Sequence, residues 1–288
     1  MLSAQAVKVN IFVGMCIYLQ KPAHAWGLTL FRWMVLIWFL VFFLGQWAFA
    51  AYIFLRYCQS AFLGQFERWN MAAPDLYIKG APFRSAIFGL HAAIAAVVSL
   101  LGPLQVIPAL RRYAPKFHRI SGRIYIYFAF AIGLDGIILV WRPKAVGDKL
   151  GHLINSINAL IILLCALFTI RTAKKRDIPA HNRWAVHLLL AMSGVWLFRV
   201  FLMLWLTINV RPVGFDPETF TGPFLTILGL LVYIFPQVII WGYFRSKESQ
   251  SAGLKLQFSL LLLLVTVGMA IGVFAAITRM WLPKVIRV

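Results

Sequence analysis

Four histidines, His91, His118, His152 and His187, stand between Arg84 and Asn209 in a stretch otherwise dominated by apolar runs. Imidazole both ligates transition metals and changes protonation near neutral pH. An ionisable side chain inside an apolar membrane segment is costly, and usually functional. A b-type haem held between helices needs two neutral imidazoles at matched depth on opposite sides of the macrocycle. Each ring is oriented by a hydrogen bond through its second nitrogen. With both axial positions filled, the iron suits electron transfer better than oxygen chemistry.

The elements that must hold these histidines are membrane helices. Of the 288 residues 62% are hydrophobic and 12% charged, and the mean hydropathy is +0.83. Several apolar runs are long enough to cross a hydrocarbon core of ~30 Å. Only helices or a closed barrel satisfy the backbone there, and long uninterrupted runs select helices. The expected architecture is all-α, a single integral membrane domain over 1–288. Its seven spans lie near 28–55, 84–108, 118–141, 150–170, 184–208, 220–244 and 256–281, with a four-helix histidine-bearing core at 84–209. Residues 1–27 read as an N-terminal interfacial arm containing His24, although Ala23-His24-Ala25 also resembles a cleavage site.

The formal net charge is +20. The basic residues sit in short loops between spans, which is topology signalling and contact with anionic lipid rather than nucleic-acid binding. Loops after the second, fourth and sixth spans are the Lys/Arg-rich ones. That places them on the cytoplasmic side, with the N-terminus inside and the C-terminus outside; the expected membrane is a bacterial inner membrane, with the C-terminus periplasmic. Cys16, Cys58 and Cys165 are far apart and form no CxxC pair. No phosphate-binding glycine loop, HExxH or GxSxG is present.

On this map His91 and His152 fall toward the outer face, on spans two and four. His118 and His187 fall toward the inner face, on spans three and five. Two bis-histidine haems are expected, one per leaflet, with His181 as an alternative inner ligand. Arg123 belongs to a basic cluster with Arg111, Arg112, Lys116 and Arg119 that borders the inner pair, where it is suited to a propionate. Asp135 and Arg199 lie ~25 Å and ~18 Å along their helices from His118 and His187 at the standard rise. They suit either a structural ion pair or a role at the outer haem, with Arg199 on a propionate and Asp135 in a proton relay. Gln105, Asn155, Ser156 and Asn158 either bridge helices or line a polar pocket.

The segments HAAIAAVVSLLGPLQ (91–105), LRRYAPKFHRISGRIY (110–125) and HNRWAVH (181–187) resemble the bacterial predicted-membrane-protein family called domain of unknown function 2306. The order of histidines on four consecutive helices is similar to the cytochrome b561 fold. That likeness implies two b haems, with His91 and His152 on one and His118 and His187 on the other. It also implies electron transfer from a quinol or cytoplasmic reductant to an acceptor across the membrane, a membrane oxidoreductase. Seven spans instead of six, a short step from His91 to His118, and the lack of an ascorbate-binding signature depart from that pattern. The alternatives are a haem-free transporter using the histidines for protons or substrate, and an accessory subunit of a respiratory complex or a homodimer.

Overall fold

The computed structural model describes residues 25–71, 75–142 and 145–286. The expected N-terminal arm, with His24 and Cys16, lies almost wholly outside them. Among the described residues the chain folds as helices, with no strand: α1 (Ala25–Ile53), α2 (Pro82–Gln105), a short α3 (Pro108–Tyr113), α4 (Pro115–Val140) and α5 (Lys149–Lys174). These are followed by α6 (Ile178–Met192), α7 (Gly194–Asn209), α8 (Pro223–Tyr233), α9 (Phe235–Glu248), α10 (Ala252–Ala275) and α11 (Leu282–Ile286). A π-helical turn, Phe54–Cys58, and one further α-turn, Gln59–Phe62, prolong α1. A second π-turn, Ala276–Trp281, joins α10 to α11. Among the described residues six helical segments are long and apolar enough to cross a bilayer, and α6 with α7 makes a seventh, broken span. The seven expected spans are all present.

Local sequence explains where these helices start. Proline occupies the first turn of α2, α3, α4, α6, α8 and α9, where its missing N–H costs nothing. Asp148 caps α5 by accepting from the Gly151 N–H at 2.7 Å, and Asp177 caps α6 by accepting from Ala180 at 3.1 Å. The Asp177 cap corrects the expected start of the fifth span from residue 184 to Ile178.

A second correction concerns the middle of that span. It bends by 52° between α6 and α7. A serine–glycine pair sits at the break, a recurrent cause of kinks. The Ser193 hydroxyl turns back to the Leu189 carbonyl at 2.7 Å. At Gly194 a Cβ would lie 2.5 Å from the Tyr233 ring. The missing side chain therefore lets α8 pack into the elbow.

α2, α4, α5 and α6 pack successively and close into a ring through α2 and α6, and neither diagonal, α2 with α5 or α4 with α6, is a packed pair. α1 lies on α2 and α10. α10 also covers α7 and α9, α8 fits between α5 and α7, and α9 rests on α6. Phe42, Trp196, Val200 and Met269 are fully buried at the centre of the α1–α7–α10 side. Outward-facing Leu264 and Phe274 are 72% and 70% exposed, as lipid contact allows and water does not. The basic loops gather at one end, where Arg183 of α6 pairs with Glu248 of α9. That end is called the basic end below; the other is the far end.

Close helix approach depends on small residues where hydrophobic driving force between helices is absent. A Cβ at Gly272 would collide with the Val200 carbonyl of α7, whereas one at Gly136 meets nothing within 4 Å. Gly272→Ala is expected to lower stability by roughly 1–3 kcal/mol through overpacking. Gly136→Ala is expected to be neutral or mildly stabilising. Thermal unfolding of the two variants in detergent checks the contrast; equal melting points would contradict the α7–α10 contact.

Candidate functional site

At the basic end the ring opens into a chamber of about 780 Å³, walled by α2, α4, α5, α6 and α9. His118 and His181 each sit four residues into their helices, α4 and α6, and both line this chamber. These helices are opposite corners of the ring. His181 places Nδ1 3.1 Å from the Thr169 carbonyl of α5. A carbonyl only accepts, so Nδ1 carries the proton and Nε2 keeps its lone pair. His118 has a buried Nδ1 with no hydrogen-bond partner and lies within electrostatic range of Arg111 and His181.

The chamber wall is cationic. Arg111, Arg119, Arg123, Lys174 and Lys247 line it, and no Asp or Glu does. Arg111 also donates to the Asn182 amide oxygen, tying α3 to α6 across the mouth. Burial lowers the pKa of its guanidinium from the ordinary value, though an arginine stays charged. Gln105 donates to the Ser121 hydroxyl at 2.8 Å, and this bond joins α2 to α4 beside the cavity. Of the basic cluster, Arg111, Arg119 and Arg123 share this wall with His118 and His181.

The inner pairing differs from that expected. His187 is not on the chamber wall. It follows His181 by six residues, ~120° around the helix at ~100° per residue, and so faces another way. Its Nδ1 donates to Gln237 Oε1 of α9 at 2.7 Å, and its ring lies against Trp184. The structure therefore brings His118 together with His181 and turns His187 toward α9.

At the far end His91 of α2 and Asp135 of α4 form a 2.7 Å contact through Nδ1 and Oδ2. His152, in the first turn of α5, donates Nε2–H to the Val146 carbonyl at 3.2 Å and meets the Trp141 ring edge-on. No hydrogen bond or ring contact joins His91 to His152 among the described residues; they occupy opposite corners of the ring. The Asp135–Arg199 ion pair does not form. α4 neighbours α2, which presents His91, while α7 packs on α10 and α8. Arg199 instead donates to the Val195 carbonyl at 3.0 Å and lies over the Phe49 ring. Asn158 bridges α5 to the Ala191 carbonyl of α6 at 3.3 Å, and Trp141 donates to Ser156 at 3.0 Å. Asn155 bonds only its own helix.

Thr169, Asn182 and Gln237 orient site residues yet carry no sequence signal of their own. The donor set of the chamber fits a haem: imidazoles from opposite corners, one with its lone pair fixed, a cationic wall for propionates, and a volume within the usual range for ligand sites. The far-end histidines fit by tautomer, with Asp135 orienting His91 as a carboxylate orients a metal-bound imidazole. Among the described residues no three His, Cys, Asp or Glu side chains converge as a bare metal ion requires.

The His91–Asp135 contact generates a prediction that holds with or without a ligand. Asp135→Leu leaves a polar nitrogen without its acceptor and should cost about 1–3 kcal/mol. The double variant His91→Phe with Asp135→Leu should recover much of that loss. A double-mutant cycle on unfolding in detergent measures the coupling; additive effects would show the contact to be energetically silent.

No curated protein and no solved structure matches the chain. The likeness to cytochrome b561 therefore rests on helix order and histidine placement alone. Residues 88–217, which run from within α2 to the loop beyond α7, match the family described as predicted membrane protein, DUF2306.

Proposed function

We propose that the protein is a membrane electron carrier whose basic-end chamber holds a b-type haem. One observation carries the reading: two histidines from opposite corners of a helix ring share a cavity that has several cations and no carboxylate on its wall. His118 and His181 are the axial candidates. The Thr169 carbonyl fixes the His181 tautomer in which Nε2 keeps its lone pair. Arg111, Arg119 and Arg123 are placed to pair with propionates. Tyr125, Leu188 and Leu189 supply the apolar part of the wall. Bound in this way, the haem supplies one-electron chemistry without an open iron position.

A second haem at the far end, between His91 and His152, extends the same reading; Asp135 would then hold His91 in its ligating tautomer. Excess Lys and Arg at the basic end support a cytoplasmic location for it, in a bacterial inner membrane. A quinol or a cytoplasmic reductant is the proposed donor, and the other respiratory components are proposed partners. The second reading is proton or substrate handling without haem. It is favoured by His91–Asp135 and His187–Gln237, which tie each imidazole to an acceptor inside the bundle.

Visible spectra of detergent-purified protein, oxidised and dithionite-reduced, with haem quantified per chain, decide between the two. The proposal expects a sharp reduced α band that is lost in His118→Ala and His181→Ala and kept in His187→Ala. Two haems per chain, with one lost in His91→Ala or His152→Ala, would establish the far-end site. Colourless protein from haem-replete cells would remove the electron-carrier reading and leave proton or substrate handling.

A further inference from the structure

We propose that the far end carries an oxyanion site built by Arg56, Arg199 and Lys284, independent of any haem. Arg56 sits in the first π-turn and is only 5% exposed. Its two terminal nitrogens donate to the carbonyls of Lys284, at 3.0 Å, and of Arg68, at 2.7 Å. Its Nε is buried with no partner. Carbonyl dipoles hold the guanidinium in place without neutralising it. Lys284 lies within electrostatic range of both Arg56 and Arg199, and so does Tyr57. Among the described residues no ion pair joins any of the three cations to a carboxylate.

The surrounding groups have the same polarity. Trp281 closes the second π-turn, 3% exposed, and its indole N–H is also buried without an acceptor. Its ring stacks on Tyr52 and approaches Phe49, over which the Arg199 guanidinium lies at 5.5 Å. The π-turns of the first and last spans carry Arg56 and Trp281, and Arg56 meets the carbonyl of Lys284, three residues beyond that tryptophan. Single-turn π-helices of this kind occur often at functional sites. Two guanidinium groups, an ammonium and an indole N–H thus lie in one neighbourhood of low dielectric, the guanidinium groups held by carbonyls but none of the cations paired with a carboxylate among the described residues. Like charges at such spacing repel, and a buried donor without an acceptor is costly. One phosphate or carboxylate relieves both. Arg199 and Lys284, half-buried, are the groups an entering anion can reach. Arg56 supplies fixed charge behind them.

Two sources offer that chemistry at this depth, the phosphate of a lipid headgroup and a free oxyanion. Thermal unfolding of the full chain in a non-ionic detergent separates them. One arm replaces chloride by inorganic phosphate at equal ionic strength. The other adds short-chain phosphatidylglycerol, with phosphatidylcholine as control. The site predicts a saturable rise in melting temperature in at least one arm. Arg199→Gln and Lys284→Gln should each weaken the apparent affinity about tenfold, the worth of one charge-assisted hydrogen bond. Without added anion both variants should melt no lower than the parent, because each removes repulsion. Arg56→Gln strands two carbonyls and is expected to unfold, so the test rests on the other two positions. Stabilisation by phosphate identifies a soluble oxyanion, and stabilisation by phosphatidylglycerol alone identifies a lipid headgroup. No rise with either probe, or an unchanged rise in the Arg199→Gln/Lys284→Gln double variant, overturns the proposal. Neither readout depends on colour, so its failure is distinct from failure of the haem reading.

Discussion

A polar or charged group inside a hydrocarbon slab needs a partner, because no water is there to solvate it. Nearly every polar side chain of the bundle answers to this constraint. Serine and threonine hydroxyls at 121, 169, 193, 259 and 266 return to carbonyls of their own helices. Asn158 reaches across to α6, His91 to Asp135 and His187 to Gln237. Among the described residues the buried polar atoms left without partners include His118 Nδ1 on the chamber wall and Arg56 Nε with Trp281 Nε1 at the far end, besides Gln46 Nε2, Gln65 Oε1, Asn158 Oδ1 and Trp196 Nε1. At the chamber and at the far end such groups stand beside several cations.

The broken fifth span makes both places compatible with one chain. α6 carries His181 into the ring at the basic end. After the 52° bend α7 leaves the ring, packs on α10 and carries Arg199 to the π-turns. The Ser193–Gly194 elbow and the Tyr233 ring seated in it thus determine which partners the downstream arginine meets.

Helix number and alternation were legible in the sequence because apolar run length is a one-dimensional property. The proline starts and the basic loops reinforced it. The position of His118 followed from the same pattern. Its partner did not, since the choice between His181 and His187 turns on helix phase. Six residues rotate a side chain by ~120°, and phase was fixed by an Asp177 cap seven residues before the expected start. Helix adjacency was equally hidden: nothing in the spacing of Asp135 says that its neighbour is His91. Arg56 falls just past the expected first span, near 28–55, because π-turns leave no mark in hydropathy. Its contact with Lys284 spans nearly the whole chain.

Charge balance ties the two ends together. The chain has 28 Lys and Arg against 8 Asp and Glu, and the structure spends several of those carboxylates on local tasks. Asp148 and Asp177 cap helices, Asp135 holds His91, Glu248 meets Arg183, and Asp216 accepts from its own turn, which lowers its pKa. None of these lines the chamber or pairs with the far-end cations. Surface cations at lipid level find countercharge in headgroups and solvent. Arg111 is fastened to Asn182 and Arg56 to two carbonyls, so neither can swing out to do the same. Each end of the bundle thus holds a cation fixed in place with no carboxylate partner among the described residues.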